Sequence, residues 1–140
     1  MLDILRRLTG YPPPIKRAVG TAMLNDAFRA RPFGTPKSRI LFSPGVMALS
    51  DGDGDTYDLA AAMLTQSHVL LLVRHAFADT TFNPTDLRDR GAVDYLGHTV
   101  LFRISYHSLT FDGPAEDPSD ARKTARVMTL FLASEAERYG

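Results

Sequence analysis

The chain has 140 residues, the size of one domain, with 16 basic and 16 acidic residues and no formal net charge. At 44% apolar it has the material for an ordinary core, and the balanced charge argues against a general nucleic-acid binder and against an acidic mimic of DNA. The absence of cysteine excludes disulfides, thiolate catalysis and thiolate-ligated zinc.

Leu2 to Leu8 reads as a short helix, and Gly10 with Pro12, Pro13 and Pro14 as a stiff spacer. Residues 1–14 are thus set apart from one domain over 15–140. A helix is expected over about 15–29, with Ile15, Val19, Ala22, Met23 and Ala27 near one face. Arg39 to Phe42 reads as a strand stopped by Pro44 and Gly45, with Val46 to Leu49 continuing it beyond a bend. Asp51, Asp53 and Asp55 alternate in a polar turn, but the glutamate that ends a calcium loop does not follow, so the turn reads as an exposed loop. From Thr56 to Phe77, the residues Leu59, Met63, Gln66, Leu70, Val73 and Phe77 fall at helical spacing. A long helix is expected there, although Val69 to Val73 would also suit a buried strand after a helix ending at Gln66.

Residues 90–107 predict a β-hairpin. Gly97 and His98 suit a two-residue turn, which pairs Leu96 with Thr99, Tyr95 with Val100, Val93 with Phe102 and Gly91 with Ile104. One face then carries Val93, Tyr95, Val100, Phe102, Ile104 and Tyr106. The other carries Arg88, Arg90, Asp94, Arg103, Ser105 and His107. After a Pro/Asp loop, a long helix is expected over about 119–138, entered through Pro118, with a stripe of Ala121, Ala125, Met128, Phe131, Leu132 and Ala136. The fold class is α+β: a small antiparallel sheet of about three strands, with helices packed on one face and a long C-terminal helix.

Several segments resemble a known family. Leu24 to Arg29 resembles an L-N-D-x-x-R opening, and Gly45 to Leu49 a G-V-x-A-L segment. Asn83 to Gly91 resembles D-P-x-G-E-H-D-F-G, and Phe102 to Tyr106 resembles W-K-I-D-Y. Asp117, Pro118, Thr124, Arg126 to Thr129, Leu132 and Ala133 resemble a D-P-A-D-x-x-x-T-x-R-V-L-T-I-M-L-A tail. The pattern spans about residues 20–139 and is that of a small bacterial family of unknown function, common on plasmids and integrated elements. The chain departs from it where carboxylates would stand: Leu87 to Gly91 replaces E-H-D-F-G, Ser105 and Ser108 replace two aspartates, and Asp89 alone survives.

Four groups of residues are candidates for chemistry. Ser105, His107 and Asp94 suggest a nucleophilic triad, but serine and histidine sit two apart on one strand with no nucleophile elbow. His68, His75, His98 and His107 lack ligand spacing, so no metal is expected, and no cofactor. Gly91 and Gly97 belong to no phosphate loop. Arg88, Arg90, Arg103 and His107 form the sharper group, with Arg90 expected opposite Ser105 and Arg88 opposite His107. A plain solvated face is the commoner explanation of exposed arginines; the other is anion recognition, because clustered like charges cost stability unless an anion compensates.

The resemblance and the missing acid–base groups imply a non-catalytic interaction protein of a mobile element, of the kind that inhibits host restriction or CRISPR interference. Binding would run through the basic hairpin face to an acidic surface on a protein or nucleoprotein, with nucleic acid alone the less favoured partner. The alternative is a small hydrolase or nuclease-like enzyme using Asp89, Arg103 and His107. No membrane association is expected, since the longest apolar run, Val69 to Val73, is far below a span. Met1 to Thr9 is too short and charged for a signal-peptide core, so the expected location is the cytoplasm.

Overall fold

The structure, a computed structural model, describes residues 12–50, 59–78, 80, 81, 83, 84 and 86–140. The expected helix over 2–8 and the aspartate turn at 51–55 lie outside them. Helix α1 runs Pro13–Ala30, followed by strand β1 (Arg39–Phe42), the short helix α2 (Pro44–Ala48) and helix α3 (Leu59–Arg74). The hairpin strands β2 (Arg90–Tyr95) and β3 (His98–His107) come next. Strand β4 (Ala125–Leu132), a 3-10 turn (Ala133–Glu135) and the single-turn helix α4 (Ala136–Tyr139) complete the chain.

The elements form an α+β fold around one sheet. It has four strands rather than about three, in the order β1-β4-β3-β2, with β1 parallel to β4 and the other pairs antiparallel. The expected long C-terminal helix is absent. Its stretch over 125–132 is instead the central strand β4, and only one helical turn, α4, follows. The misreading has a physical cause. A central strand covered on both faces loses its period of two and becomes a continuous apolar run, which helical spacing fits equally well. In β4 every residue except Thr129 and Leu132 is buried.

Ile40, Phe42, Val93, Val100, Phe102, Ile104, Met128 and Leu130 share the inner face and pack against α1, α2 and α3 through Phe28, Val46, Val69 and Val73. Phe102 and Ile104 are thus buried as expected, but their neighbours Leu130 and Met128 come from a strand, while Phe131 points to the opposite face opposite Leu101. Gly91 is the Cα partner of Phe102, and a Cβ there would come within 2.8 Å of the phenyl ring. The glycine therefore lets the ring lie flat on the edge strand.

Three further expectations shift. Pro13 and Pro14 form the first turn of α1, where a missing N–H costs nothing, so the stiff spacer ends sooner. Pro44 likewise opens a helix, capped by the Ser43 hydroxyl, where an extension of β1 was expected over Val46 to Leu49. The hairpin turn is Leu96-Gly97, so Tyr95 pairs with His98, Val93 with Val100 and Arg90 with Arg103. The register slips by two residues, which preserves both faces and changes every partner. Leu96 takes φ = 50°, a left-handed conformation that leucine disfavours, so sequence preference pointed one residue along.

Helix α3 forms where expected, but its buried stripe is Ala62, Thr65, Val69, Leu70 and Val73. Leu59 and Met63, expected inside, are 61% and 59% exposed. In α1 the stripe turns toward Asn25, Phe28 and Arg29, all buried, while Ala27 is exposed.

Candidate functional site

The outer face of the sheet carries the predicted basic group, in altered form. Side chains alternate along each strand, so Leu41, Thr129, Arg103 and Arg90 form one row across the four strands, and Arg39, Val127 and Ser105 form the next. Arg90 and Arg103 are direct cross-strand partners, two like charges side by side. The Arg90 side chain is 74% exposed, and its Nε lies 3.4 Å from an Asp89 oxygen, a long contact. The Arg103 Nη1 reaches the Gly140 carbonyl only at 3.5 Å, and its buried Nε has no hydrogen-bond partner among the described residues.

Two shallow clefts flank Arg103 where Tyr139 and Gly140 cross the sheet. One, of about 370 Å³, lies beside Arg90, Ala92, Leu101 and Phe131. The other, of about 410 Å³, lies beside Leu41, Ser43, Thr129 and Arg138. Neither is lined by an acidic residue. Arg138 and Arg39 thus join this face, and sequence reasoning missed both. The alternation of Arg39 with Ile40 in a strand already read as such was a usable signal; Arg138 was hidden by the expected long helix.

Arg88 leaves the group. Its φ of 53° turns it out of the strand, and its Nη1 pairs with Asp26 Oδ2 on the helical side at 3.2 Å. The expected pairing of Arg88 with His107 therefore fails, as does that of Arg90 with Ser105. His107 stays on the outer face but at the far end, its Nε2 2.8 Å from the Ser105 hydroxyl and its ring 5.8 Å from that of Phe111. Arg39 stacks on the other side of the cluster, 3.9 Å above the Phe111 ring.

A second polar group, closed and internal, gathers the residues that carried the resemblance. Asn25 is wholly buried; its Nδ2 donates to the Leu87 carbonyl at 2.9 Å and to the Tyr106 hydroxyl at 2.8 Å. The Asn25 Oδ1 accepts from Arg126 Nε at 2.9 Å, and Tyr106 donates to Asp89 Oδ2 at 3.0 Å. Arg126 also donates to the Pro118 carbonyl. The buried cation and anion are thus joined through two neutral groups, which spares either an unpaired charge in low dielectric. Burial pushes the Tyr106 hydroxyl well above its ordinary range, against the opposing Asn25 bond and with help from Asp89, so it remains a donor. Burial likewise pushes the Arg126 guanidinium below its ordinary value, with Tyr106 opposing. Beside this chain Arg29 pairs with Asp26 and lies 4.5 Å above the Phe77 ring.

The strand alternation separates the alternative catalytic set. Asp89 bonds Tyr106 on the inner side, whereas Arg103 and His107 project outward, so the three do not meet. Among the described residues no cluster of histidine or acidic side chains is arranged to hold a metal ion. None of the described helices is long and apolar enough to cross a membrane.

The fold and the site together define a small α+β domain with one helix-covered sheet face and one half-open, arginine-bearing face. Residues 42–135, more than half of the chain, match the family described as "Protein of unknown function (DUF3768)", and the chain belongs to that family. Comparison with curated proteins and with solved structures finds no match.

Proposed function

We propose that the protein is a non-catalytic interaction protein that engages an acidic surface of a protein or nucleoprotein partner through the outer face of its sheet. The observation that carries this reading is the Arg90–Arg103 pair, directly opposed across β2 and β3 with Arg138 bordering the adjacent cleft. Like charges set opposite each other destabilise a sheet. A partner carboxylate or phosphate seated between them removes that repulsion and meets the guanidinium of Arg103, whose own contact with Gly140 is long. His107, engaged by Ser105 and Phe111, takes a rim position, and Arg88 has no part in the contact. The habit of the resembling family on mobile elements makes a component of a host defence system the first partner class to test.

The test compares the wild-type chain with Arg90→Glu/Arg103→Glu in capture from the native host, followed by titration of the retrieved partner in purified form. Arg90 is exposed and Arg103 half-buried with no close hydrogen bond to lose, so the circular dichroism spectrum should be unchanged. Wild-type affinity should fall as salt is raised, and the double variant should lose the partner. Equal affinity of the two chains for the same purified partner would refute the reading. A free oligonucleotide duplex competing as well as the partner would reassign the face to phosphate recognition.

A further inference from the structure

Helix α3 is apolar well beyond its buried stripe. Its inner stripe enters the core through Ala62, Val69 and Val73, yet Leu59, Met63, Leu64 and Leu71 on the other sides are 61%, 59%, 58% and 54% exposed. No charged residue occurs from Leu59 to Val73, and Arg74 is the first. Exposed apolar side chains grouped in this way mark a contact surface, and among the described residues the sheet and α1 cover only the inner side of the helix. The outer residues are also ordered: Ala60 and Ser67 stand seven apart, as do Leu64 and Leu71, with the small residues marking a line of close approach between flanking leucines. At the C-terminal end of this seam, Phe33 is 82% exposed beside a recess of about 200 Å³ bordered by Leu71 and Arg74.

We infer that this seam is a self-association surface, on which α3 of a second copy packs antiparallel about a two-fold axis near Ser67. Three observations favour a second copy. The only formal charge that the helix brings to the seam is Arg74, at its C-terminal end, and the apolar remainder is complementary to itself. A parallel pairing would bring Arg74 against Arg74, while the antiparallel one sets each Arg74 beside the start of the other helix, which Asp58 precedes in the sequence, so Leu59 and Met63 of one copy fill the recess at Phe33 of the other. The exposed parts of Phe33, Leu59, Met63, Leu64 and Leu71 amount to on the order of 600 Å² per copy, or on the order of 1,200 Å² for a pair, the lower edge of the range for specific interfaces. The seam lies on the helical side of the sheet, so the inference does not depend on the outer-face reading.

Sedimentation of the purified full chain across a wide concentration range tests it. The wild type should approach about 31 kDa, twice the 15.4 kDa of one chain, and Leu64→Glu/Leu71→Glu should remain at the single-chain mass with an unchanged circular dichroism spectrum. The cysteine-free background supplies a second test that leaves the seam nearly intact. Ser67→Cys, at the axis, should give a disulfide-linked dimer under mild oxidation, and Ala60→Cys should not. Single-chain mass for the wild type at every concentration would overturn the inference, and equal cross-linking through Ala60→Cys would overturn the antiparallel pairing.

Discussion

Replacing Asn25 with alanine isolates the contribution of the internal polar network. Asn25 is wholly buried and holds three partners from three different segments: Leu87, Tyr106 and Arg126. Without it Tyr106 still donates to Asp89 and Arg126 still reaches the Pro118 carbonyl, so neither is stranded. The Leu87 carbonyl loses its side-chain donor and the Arg126 Nε–H loses its acceptor. An unsatisfied buried group costs about 1–3 kcal/mol, more when it is charged. With the small cavity added, Asn25→Ala should destabilise the fold by about 3–5 kcal/mol. That is a large share of the roughly 5–15 kcal/mol that holds a domain folded. Urea unfolding followed by circular dichroism measures it, with the slope unchanged if the unfolded state is unaffected. A cycle with Arg126→Met separates the charged bond from the rest. Each single change leaves a group unpaired that the double change does not, so the double variant should cost less than the sum by about 0.5–3 kcal/mol. A loss below about 1 kcal/mol for Asn25→Ala, or strict additivity in the cycle, would show that the network is not what joins α1 to the sheet.

Leu96 is 80% exposed and held at φ = 50°, so Leu96→Asn should stabilise the protein by about 0.5–1 kcal/mol by easing the left-handed strain at the turn. A higher urea midpoint is the expected readout, and a lower one would contradict a Leu96-Gly97 turn. Burial alone would push the Glu135 carboxyl up, but the Ser43 hydroxyl at 2.5 Å and the amides of Leu132 at 2.9 Å and Gly45 at 3.1 Å outweigh it and hold the carboxyl below its ordinary value of 4.5. A group lowered in this way contributes its full stability above the unfolded value and loses it as pH falls through the folded one. Glu135→Gln should therefore reduce stability at neutral pH and flatten the acid limb of the melting curve. Gly45→Ala should act at the same clamp, since a Cβ would stand 2.5 Å from the Glu135 oxygen; its melting temperature should fall.

Local patterning carried much of the fold. Strand β1 has the bounds that the sequence indicated, α3 lies within the expected helical segment, and the two faces of the hairpin keep their composition apart from Arg88. Each of these rests on a period of 2 or 3.6 residues that neighbouring side chains impose by themselves. The candidate site was less legible. Arg90 and Arg103 share a face as expected, but strand parity could not reveal that they are direct partners, because a two-residue slip keeps every side chain on its side. Arg88 reads as a strand residue until Asp26, 62 residues away in the chain, draws it to the helical side.

What the sequence determined alone is therefore the local geometry, the apolar and basic faces of the hairpin, and the absence of thiol chemistry. What only the tertiary structure decided is the fate of segments whose local signal fits two answers. Residues 125–132 become the central strand because β1 and β3 both offer it hydrogen bonds and both of its faces are covered. Asn25 and Arg126, 101 residues apart, stand in the sequence only as members of two separate segments of the family resemblance. Buried together they satisfy one another, because a polar group removed from water must find its partner wherever the fold has brought one.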